Sequence, residues 1–113
     1  MFRKLSMAVA AAMMMAGAAH ADPIEGNWKT QSGETAAISN CGGAFCIQLK
    51  TGKHSGKSIG KMSAGDSSYS GSITDPANDK TYKGKASISG GVMKMSGCVL
   101  GGLFCKSQTW HKM

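Results

Sequence analysis

The sequence predicts an all-β fold: a small antiparallel up-and-down barrel, formed by a meander of about eight short strands and stapled by two disulfides. Stretches of alternating polarity recur roughly every 8 to 12 positions, with turn residues between them. The 16 glycines are spread along the chain, and no segment has the sustained i, i+3, i+4 apolar spacing of an amphipathic helix. A two-sheet sandwich fits the same observations and is the alternative.

Turn residues divide the chain into its expected strands. Asp75-Pro76 pre-sets a turn. Gly90-Gly91 lies between two alternating runs, as the loop of a two-residue hairpin does. The predicted strands are 24–30, 34–40, 45–50, 57–62, 67–74, 80–89, 92–97 and 104–112.

Side-chain alternation separates an inner face of these strands from an outer face. Within 82–89, apolar residues or glycines alternate with lysines or serines. One apolar face and one lysine–serine face fit a sheet closed into a barrel, because closure also removes exposed strand edges. The apolar face is predicted to hold Ile24, Gly26, Trp28, Ile47, Leu49, Tyr69, Gly71, Ile73, Tyr82, Gly84, Ala86, Ile88, Met93 and Met95, and the other face Lys83, Lys85, Ser87, Lys94 and Ser96.

Residues 1–21 have the pattern of a cleavable signal peptide. Arg3 and Lys4 precede an apolar run over 7–19, which is shorter than the roughly 20 residues that cross a bilayer. Ala19-His20-Ala21 matches the small-x-small pattern that signal peptidase accepts, so cleavage is expected before Asp22. An uncleaved anchor is the alternative. The prediction is a periplasmic or secreted protein whose mature part, 22–113, is one domain without a transmembrane span.

The four cysteines form two close pairs, Cys41 with Cys46 and Cys98 with Cys105. An exported protein meets an oxidising compartment, so disulfides are expected. Four cysteines permit three connectivities. The two local pairs are favoured because each encloses a turn that contains glycine. Zinc is the less favoured alternative, because the C-x4-C and C-x6-C spacings do not match zinc knuckles. Neither a metal nor a cofactor is expected.

The charge balance of the chain excludes some classes of partner. Removal of the leader removes Arg3 and Lys4. The positive charges that remain are all lysines, and they outnumber the 6 acidic residues. Arginine is preferred for bidentate contacts to phosphates and base edges, so specific nucleic-acid binding is not expected.

No catalytic motif accompanies this composition. The segment 52–58 resembles a P-loop, but three residues separate its glycines where the motif needs four, and no helix is predicted after it. The chain has no G-x-S-x-G elbow, and His54 and His111 are isolated in a turn and near the terminus. The sequence therefore predicts a protein that is not an enzyme and has no catalytic residues.

Several short motifs, taken in order, resemble a known family. They are Gly26-Asn27-Trp28, Ile38-Ser39-Asn40-Cys41, Phe45-Cys46, the run from Tyr69 to Pro76, Lys80-Thr81-Tyr82, Met95-Ser96-Gly97-Cys98, and the run from Cys105 to Trp110. Together they resemble the exported proteins of domain of unknown function 2147 over most of 22–113. The resemblance implies a lipocalin-like barrel of eight antiparallel strands with an interior ligand site and no settled activity. This chain has a shorter middle segment at 51–62, and it has Lys112 where the family usually has arginine. The short middle segment argues against a large pocket.

Two functional hypotheses follow, one for the interior and one for the surface. The first is a non-enzymatic binder of a small apolar or amphipathic molecule. The second is a cell-envelope interaction module that contacts anionic lipid, polysaccharide or protein through a lysine-rich turn. The aromatic set, which either lines the mouth of the barrel or fills its core, is Trp28, Phe45, Tyr69, Tyr82, Phe104 and Trp110, and the candidate polyanion contacts are Lys50, Lys53, Lys57 and Lys61. For Trp28 and Trp110, which belong to the first and last strands, a shared core contact is preferred.

Overall fold

The computed structural model describes residues 22–99 and 104–113. The leader predicted over 1–21 lies outside the described residues. The strands are β1 (Gly26–Lys29), β2 (Thr35–Asn40), β3 (Phe45–Leu49), β4 (Ser58–Ala64), β5 (Tyr69–Asp75), β6 (Lys80–Ser89), β7 (Val92–Val99) and β8 (Phe104–Lys112). Each strand pairs antiparallel with the next, and β8 pairs with β1 to close a barrel. The barrel predicted from the sequence is therefore confirmed over the sandwich. No helix of the described part is long and apolar enough to cross a membrane.

Strands β6 and β8 have the predicted bounds, and the ends of the other strands differ from the prediction by at most two residues. Hydrogen bonds explain two of these differences. Strand β1 begins at Gly26 and not at Ile24, because Glu25 N–H bonds back to Asp22 O at 2.8 Å and forms a turn. Strand β5 begins at Tyr69 because Gly65 N–H donates to Ser68 O at 2.7 Å and closes the preceding turn.

The up-and-down topology places alternate connections at the same end of the barrel. Among the described residues, the connections 30–34, 50–57 and 76–79 lie at one end, which we call the open end; the connection between β7 and β8 lies outside the described residues. The opposite end is formed by the segment 22–25 and the connections 41–44, 65–68 and 90–91, and we call it the closed end. All four segments of the closed end are short, and the first of them folds inward over the core.

Trp28 and the segment 22–25 pack on the core at the closed end. The Trp28 side chain is 0 % exposed, and its indole N–H donates to Ile24 O at 2.8 Å. Ile24 is also fully buried. From the last strand, the Lys112 Nζ lies 4.8 Å from the centre of the Trp28 ring and donates to Pro23 O at 3.1 Å. The cation–π contact and the hydrogen bond together hold the N-terminal segment against the barrel.

A row of glycines crosses the inner wall. Gly71, Gly84 and Gly97 pair in register across β5, β6 and β7. A Cβ atom added at Gly71 would lie 1.9 Å from Lys61 O, and one added at Gly84 would lie 2.7 Å from Ile73 Cγ1. The glycine row thus lets the backbone of β4 approach β5, and it leaves space for neighbouring side chains to lie across the wall.

Both disulfides confirm the local pairing predicted from the sequence. Cys41–Cys46 bridges the β2–β3 connection at the closed end, with its Cα atoms 5.8 Å apart. Cys98–Cys105 joins register partners of β7 and β8, with its Cα atoms 4.1 Å apart. The continuation of this pairing extends β7 to Val99, beyond its predicted end. Disulfides are typical of proteins outside the reducing cytoplasm.

Candidate functional site

A cavity of about 320 Å³ opens at the open end of the barrel. Ligand pockets commonly measure roughly 300 to 1,000 Å³, so this cavity is large enough for a small molecule. Its floor is apolar and its rim is polar. The floor is formed mainly by Leu49, Ile59, Ile73, Tyr82, Met95 and Trp110, and the rim by Thr30, Ser32, Glu34, His54, Asp75, Lys106 and Gln108.

Backbone features of two strands create this space. In the β3–β4 pair, Ile47 pairs with Gly60, but the next residue, Gln48, pairs with Ser58. Ile59 is therefore an extra residue of β4 with no partner position in β3. Such a bulge redirects side chains, and Ile59 is 5 % exposed and lines the cavity. In β7, Gly97 contributes no side chain, and a Cβ added there would lie 3.2 Å from Tyr82 Cβ. The Tyr82 side chain therefore crosses the wall where the glycine leaves room.

Trp110 forms part of the cavity wall. Its side chain is 3 % exposed, and its indole N–H donates to Gln108 Oε1 at 2.9 Å. Gln108 lies two residues earlier on the same face of β8 and reaches the rim. The hydrogen bond orients the indole and the amide together, so that the ring faces the apolar floor and the amide faces the opening.

The aromatic set predicted from the sequence divides between the two ends of the barrel. Tyr82 and Trp110 line the cavity. At the closed end, Trp28 is buried, and Phe45 packs edge-to-face on Tyr69 with ring centres 5.9 Å apart. The set is completed by Phe104, whose backbone belongs to β8 and whose side chain lies outside the described residues.

The two tryptophans both belong to the buried cluster. They are not opposite each other across the β1–β8 pair, because the register partner of Trp28 is Lys112, two residues beyond Trp110. The cluster they share is continuous, but one indole lies beneath the N-terminal segment and the other in the cavity wall.

Tyr69 ties the N-terminal segment to β5. Its hydroxyl donates to the Asp22 carboxylate. Burial, reinforced by the hydrogen bond to Asp22 and its negative charge, raises the pKa of Tyr69 to about 12. The phenol therefore keeps its proton, and with it the hydrogen bond to Asp22, to a higher pH than an exposed tyrosine would.

The rim carries both signs of charge in fixed positions. Glu34 Oε1 accepts hydrogen bonds from Ser32 Oγ at 2.5 Å and Thr30 Oγ1 at 3.3 Å. Asp75 Oδ1 accepts the Ala77 N–H at 2.9 Å, as the first residue of the turn predicted at this position. Together with Lys106 on β8, these groups offer hydrogen bonds to the polar end of a molecule whose apolar part enters the cavity.

The four lysines of the candidate polyanion contact do not share one surface. Lys50, Lys53 and Lys57 belong to the connection 50–57, but Lys61 lies in β4 on the outer wall. The Lys57 Nζ lies 2.6 Å from Asp79 Oδ1, and this ion pair holds the pKa of Asp79 below its usual range. The Lys50 Nζ donates to Gln48 Oε1 at 3.3 Å.

Sequence reasoning missed the floor residues Leu49, Ile59 and Met95 as parts of a site, and it also missed the rim. Lys106, Gln108 and Trp110 occupy every second position of β8 and so lie on the same face. An inward Trp110 would therefore have predicted that Lys106 and Gln108 also face inward. The inward position of Ile59 depends on the β4 bulge, for which the sequence carries no signal that we recognise. Within residues 22–99 and 104–113, no group of three or more histidine, cysteine, aspartate or glutamate side chains is arranged to hold a metal ion.

Comparison with protein families gives one result. A family model described as an uncharacterized protein conserved in bacteria (DUF2147) matches residues 56–112. The match spans β4 to β8 and includes the motifs between Tyr69 and Trp110. The motifs in β1, β2 and β3 lie outside the matched residues. No curated protein and no solved structure matches the chain.

Proposed function

This chain belongs to the DUF2147 family of uncharacterized bacterial proteins, and from that premise we propose that it is an exported, non-enzymatic binding protein. The proposed ligand is a small apolar or amphipathic molecule that enters the open end of the barrel. The observation that carries the proposal is the cavity of about 320 Å³, with its apolar floor and polar rim, at the open end. A second depression of about 420 Å³ at the closed end is lined largely by turn residues, among them Asp66, Ser67 and Ser68, and has no comparable apolar floor.

The proposed compartment is the periplasm or the cell exterior. The two disulfides support an oxidising location. The predicted leader, with cleavage expected between Ala21 and Asp22, supplies the export route. Asp22, the residue expected to follow the cleavage site, accepts a hydrogen bond from Tyr69 at the closed end.

The proposal assigns the cavity a binding role and no reaction. The two rim carboxylates are engaged by hydrogen bonds of their own turns, Glu34 with Ser32 and Asp75 with Ala77. A carboxylate held in this way positions a turn, and it can also accept a hydrogen bond from a ligand. Most of the binding free energy would come from apolar contact between the ligand and the floor. Burial of apolar surface contributes about 25 cal/mol for each Å² that is removed from water.

The cavity volume sets the expected size of the ligand. At about 320 Å³ the cavity is near the lower limit for ligand sites. The proposed ligand is therefore a compact molecule and not a long-chain lipid. A mixed-charge rim with Glu34, Asp75 and Lys106 suits an uncharged or zwitterionic polar end better than a polyanion.

Blocking the open end tests this proposal. Ala77→Trp adds an indole to an exposed turn position of the rim, and it keeps the backbone N–H that Asp75 accepts. Ala64→Trp adds the same ring to an exposed position at the closed end. Titration with the fluorophore N-phenyl-naphthylamine should show binding weakened about tenfold or more by Ala77→Trp, and changed less than about twofold by Ala64→Trp.

Salt and native mass spectrometry complete this test. A ligand held by an apolar floor should bind with the same affinity as ionic strength rises, whereas contacts between exposed charges weaken.

Native mass spectrometry of protein purified from its own compartment should show a bound small molecule that Ala77→Trp removes. Equal weakening by both tryptophan variants, or no saturable binding of the fluorophore, would contradict the proposal.

A further inference from the structure

Four lysines form a line on the outer wall of the barrel, away from the cavity. They are Lys61 of β4, Lys83 and Lys85 of β6 and Lys94 of β7, and all four are exposed. We call them the wall lysines. None of them lines the cavity at the open end.

The strand register fixes the spacing of the first three wall lysines. Lys61 and Lys83 both pair in register with Ser72 of β5, one from each side. Two strand spacings, about 10 Å, therefore separate the backbone positions of these two lysines. Lys85 follows Lys83 two residues along β6, about 7 Å further on.

Lys94 continues the same line onto β7. It pairs in register with Ser87, the next outward position of β6 after Lys85. One strand spacing and two residues of rise place Lys94 about 8 Å diagonally from Lys85. The four wall lysines thus follow one path of about 25 Å across the outside of the barrel.

No carboxylate accompanies this path. Five of the 6 acidic residues belong to the segments 22–25, 30–34, 65–68 and 76–79 at the ends of the barrel, and the sixth, Asp75, lines the cavity. The ion pair found within the described residues joins Lys57 to Asp79. The neighbours of the wall lysines across the strands are uncharged. Ser70, Ser72, Ser87 and Ser96 are four of them, and the others are Thr109 and the disulfide cysteines Cys46 and Cys98.

This separation of charge leaves the wall with an uncompensated positive field. The spacing of about 7 to 10 Å is within or near the Debye length of about 8 Å at physiological salt, so neighbouring lysines repel one another. A surface that only has to stay soluble usually mixes both signs of charge. A bound anion with repeated charges would relieve the repulsion and release counter-ions from the wall.

From this arrangement we infer that the wall lysines dock an acidic polysaccharide. A linear chain with one carboxylate on each sugar supplies charges along a path of this length. The serine hydroxyls between the lysines can donate to and accept from sugar hydroxyls. Lysine contacts each carboxylate as a point charge and needs no bidentate geometry.

The chemistry of the wall separates this partner from other anions. The outward positions that surround the wall lysines on β5 and β6 are serine and threonine, and Val92 is the exposed apolar residue next to Lys94 on β7. A single valine offers little apolar surface to enter a lipid layer. It also has no arginine for phosphate forks or base edges, and no exposed aromatic ring on which bases could stack.

A matched pair of charge variants tests the inference, with polygalacturonate as the probe, uncharged dextran as its control, and anionic lipid vesicles and duplex DNA as alternative anions. The wall variant is Lys61→Gln, Lys83→Gln, Lys85→Gln and Lys94→Gln. The control variant is Lys29→Gln, Lys50→Gln, Lys53→Gln and Lys80→Gln, which removes the same charge from exposed lysines elsewhere. Binding is measured by calorimetry over a range of salt concentrations, with the melting temperature and fluorophore binding of each variant measured in parallel.

The wall variant is expected to bind polygalacturonate about tenfold or more weakly. The slope of log affinity against log salt should fall in magnitude by up to about 3, because four contacts no longer release counter-ions. The control variant should stay within about twofold of the parent. Equal weakening in both variants, binding of dextran as tight as that of polygalacturonate, or binding only to anionic vesicles or to DNA would overturn the inference. Fluorophore binding unchanged in the wall variant would separate this surface from the cavity.

Discussion

Replacing Trp28 by alanine is expected to lower the free energy of unfolding by about 3 to 5 kcal/mol, as for other large aromatic residues in cores. The side chain is 0 % exposed, and its loss would also leave Ile24 O without the indole donor. Lys112 would lose the ring beneath its ammonium group. The free energy of unfolding of a domain is typically about 5 to 15 kcal/mol, so this variant should be close to unfolding at room temperature.

Chemical denaturation of Trp28→Ala and Trp28→Phe measures this effect. Phenylalanine keeps most of the apolar volume but leaves the buried Ile24 O without its donor, so it should cost about 1 to 3 kcal/mol. If Trp28→Ala were destabilised by less than about 1 kcal/mol, the ring would not be the residue that packs on the core at the closed end. The N-terminal segment would then need another anchor.

Gly71→Ala is expected to destabilise the barrel by about 1 to 3 kcal/mol or more. The new methyl group would lie 1.9 Å from Lys61 O, which is a backbone atom of the neighbouring strand. No side-chain rotation relieves such an overlap, so β4 or β5 has to move. The pairing of β4 with β5 and the glycine row beside it would both be disturbed.

Gly91→Ala is the matched control for this substitution. A Cβ at Gly91 would meet Lys112 Cβ at 3.7 Å, which is an ordinary contact, and Gly91 is not among the glycines with positive φ. Its stability should therefore change by less than about 0.5 kcal/mol. Equal denaturation midpoints for the two variants would show that β4 does not approach Gly71 so closely.

Much of the fold could be predicted because alternation and turn chemistry are local signals. The alternating residues of β6 identified an inner and an outer face, and Gly90-Gly91 marked the hairpin that follows. Both cysteine pairs were predicted because short loops bring their ends together easily. The β4 bulge at Ile59 could not be predicted, since it arises from how β4 fits against β3.

The candidate site was predicted less well, because alternation gives the face of a residue but not its depth along the barrel. Tyr69 and Tyr82 share the inner face, yet one lies at the closed end and the other at the cavity. Lys61 was grouped with the lysines of the connection 50–57 because it is close to them in sequence. The register instead places it beside Lys83, across Ser72.

The proposed binding at the open end is tested most directly by the two indole N–H signals in a proton–nitrogen correlation NMR spectrum. The chain has 2 tryptophans, and they report on different parts of the core: Trp110 donates to Gln108 in the cavity wall, and Trp28 donates to Ile24 beneath the N-terminal segment. The variant Trp28→Phe assigns the two signals by removing one. During titration with N-phenyl-naphthylamine, the Trp110 signal should shift and saturate while the Trp28 signal stays in place. Saturable binding of the fluorophore that shifts only the Trp28 signal, or neither signal, would contradict a ligand site in this cavity.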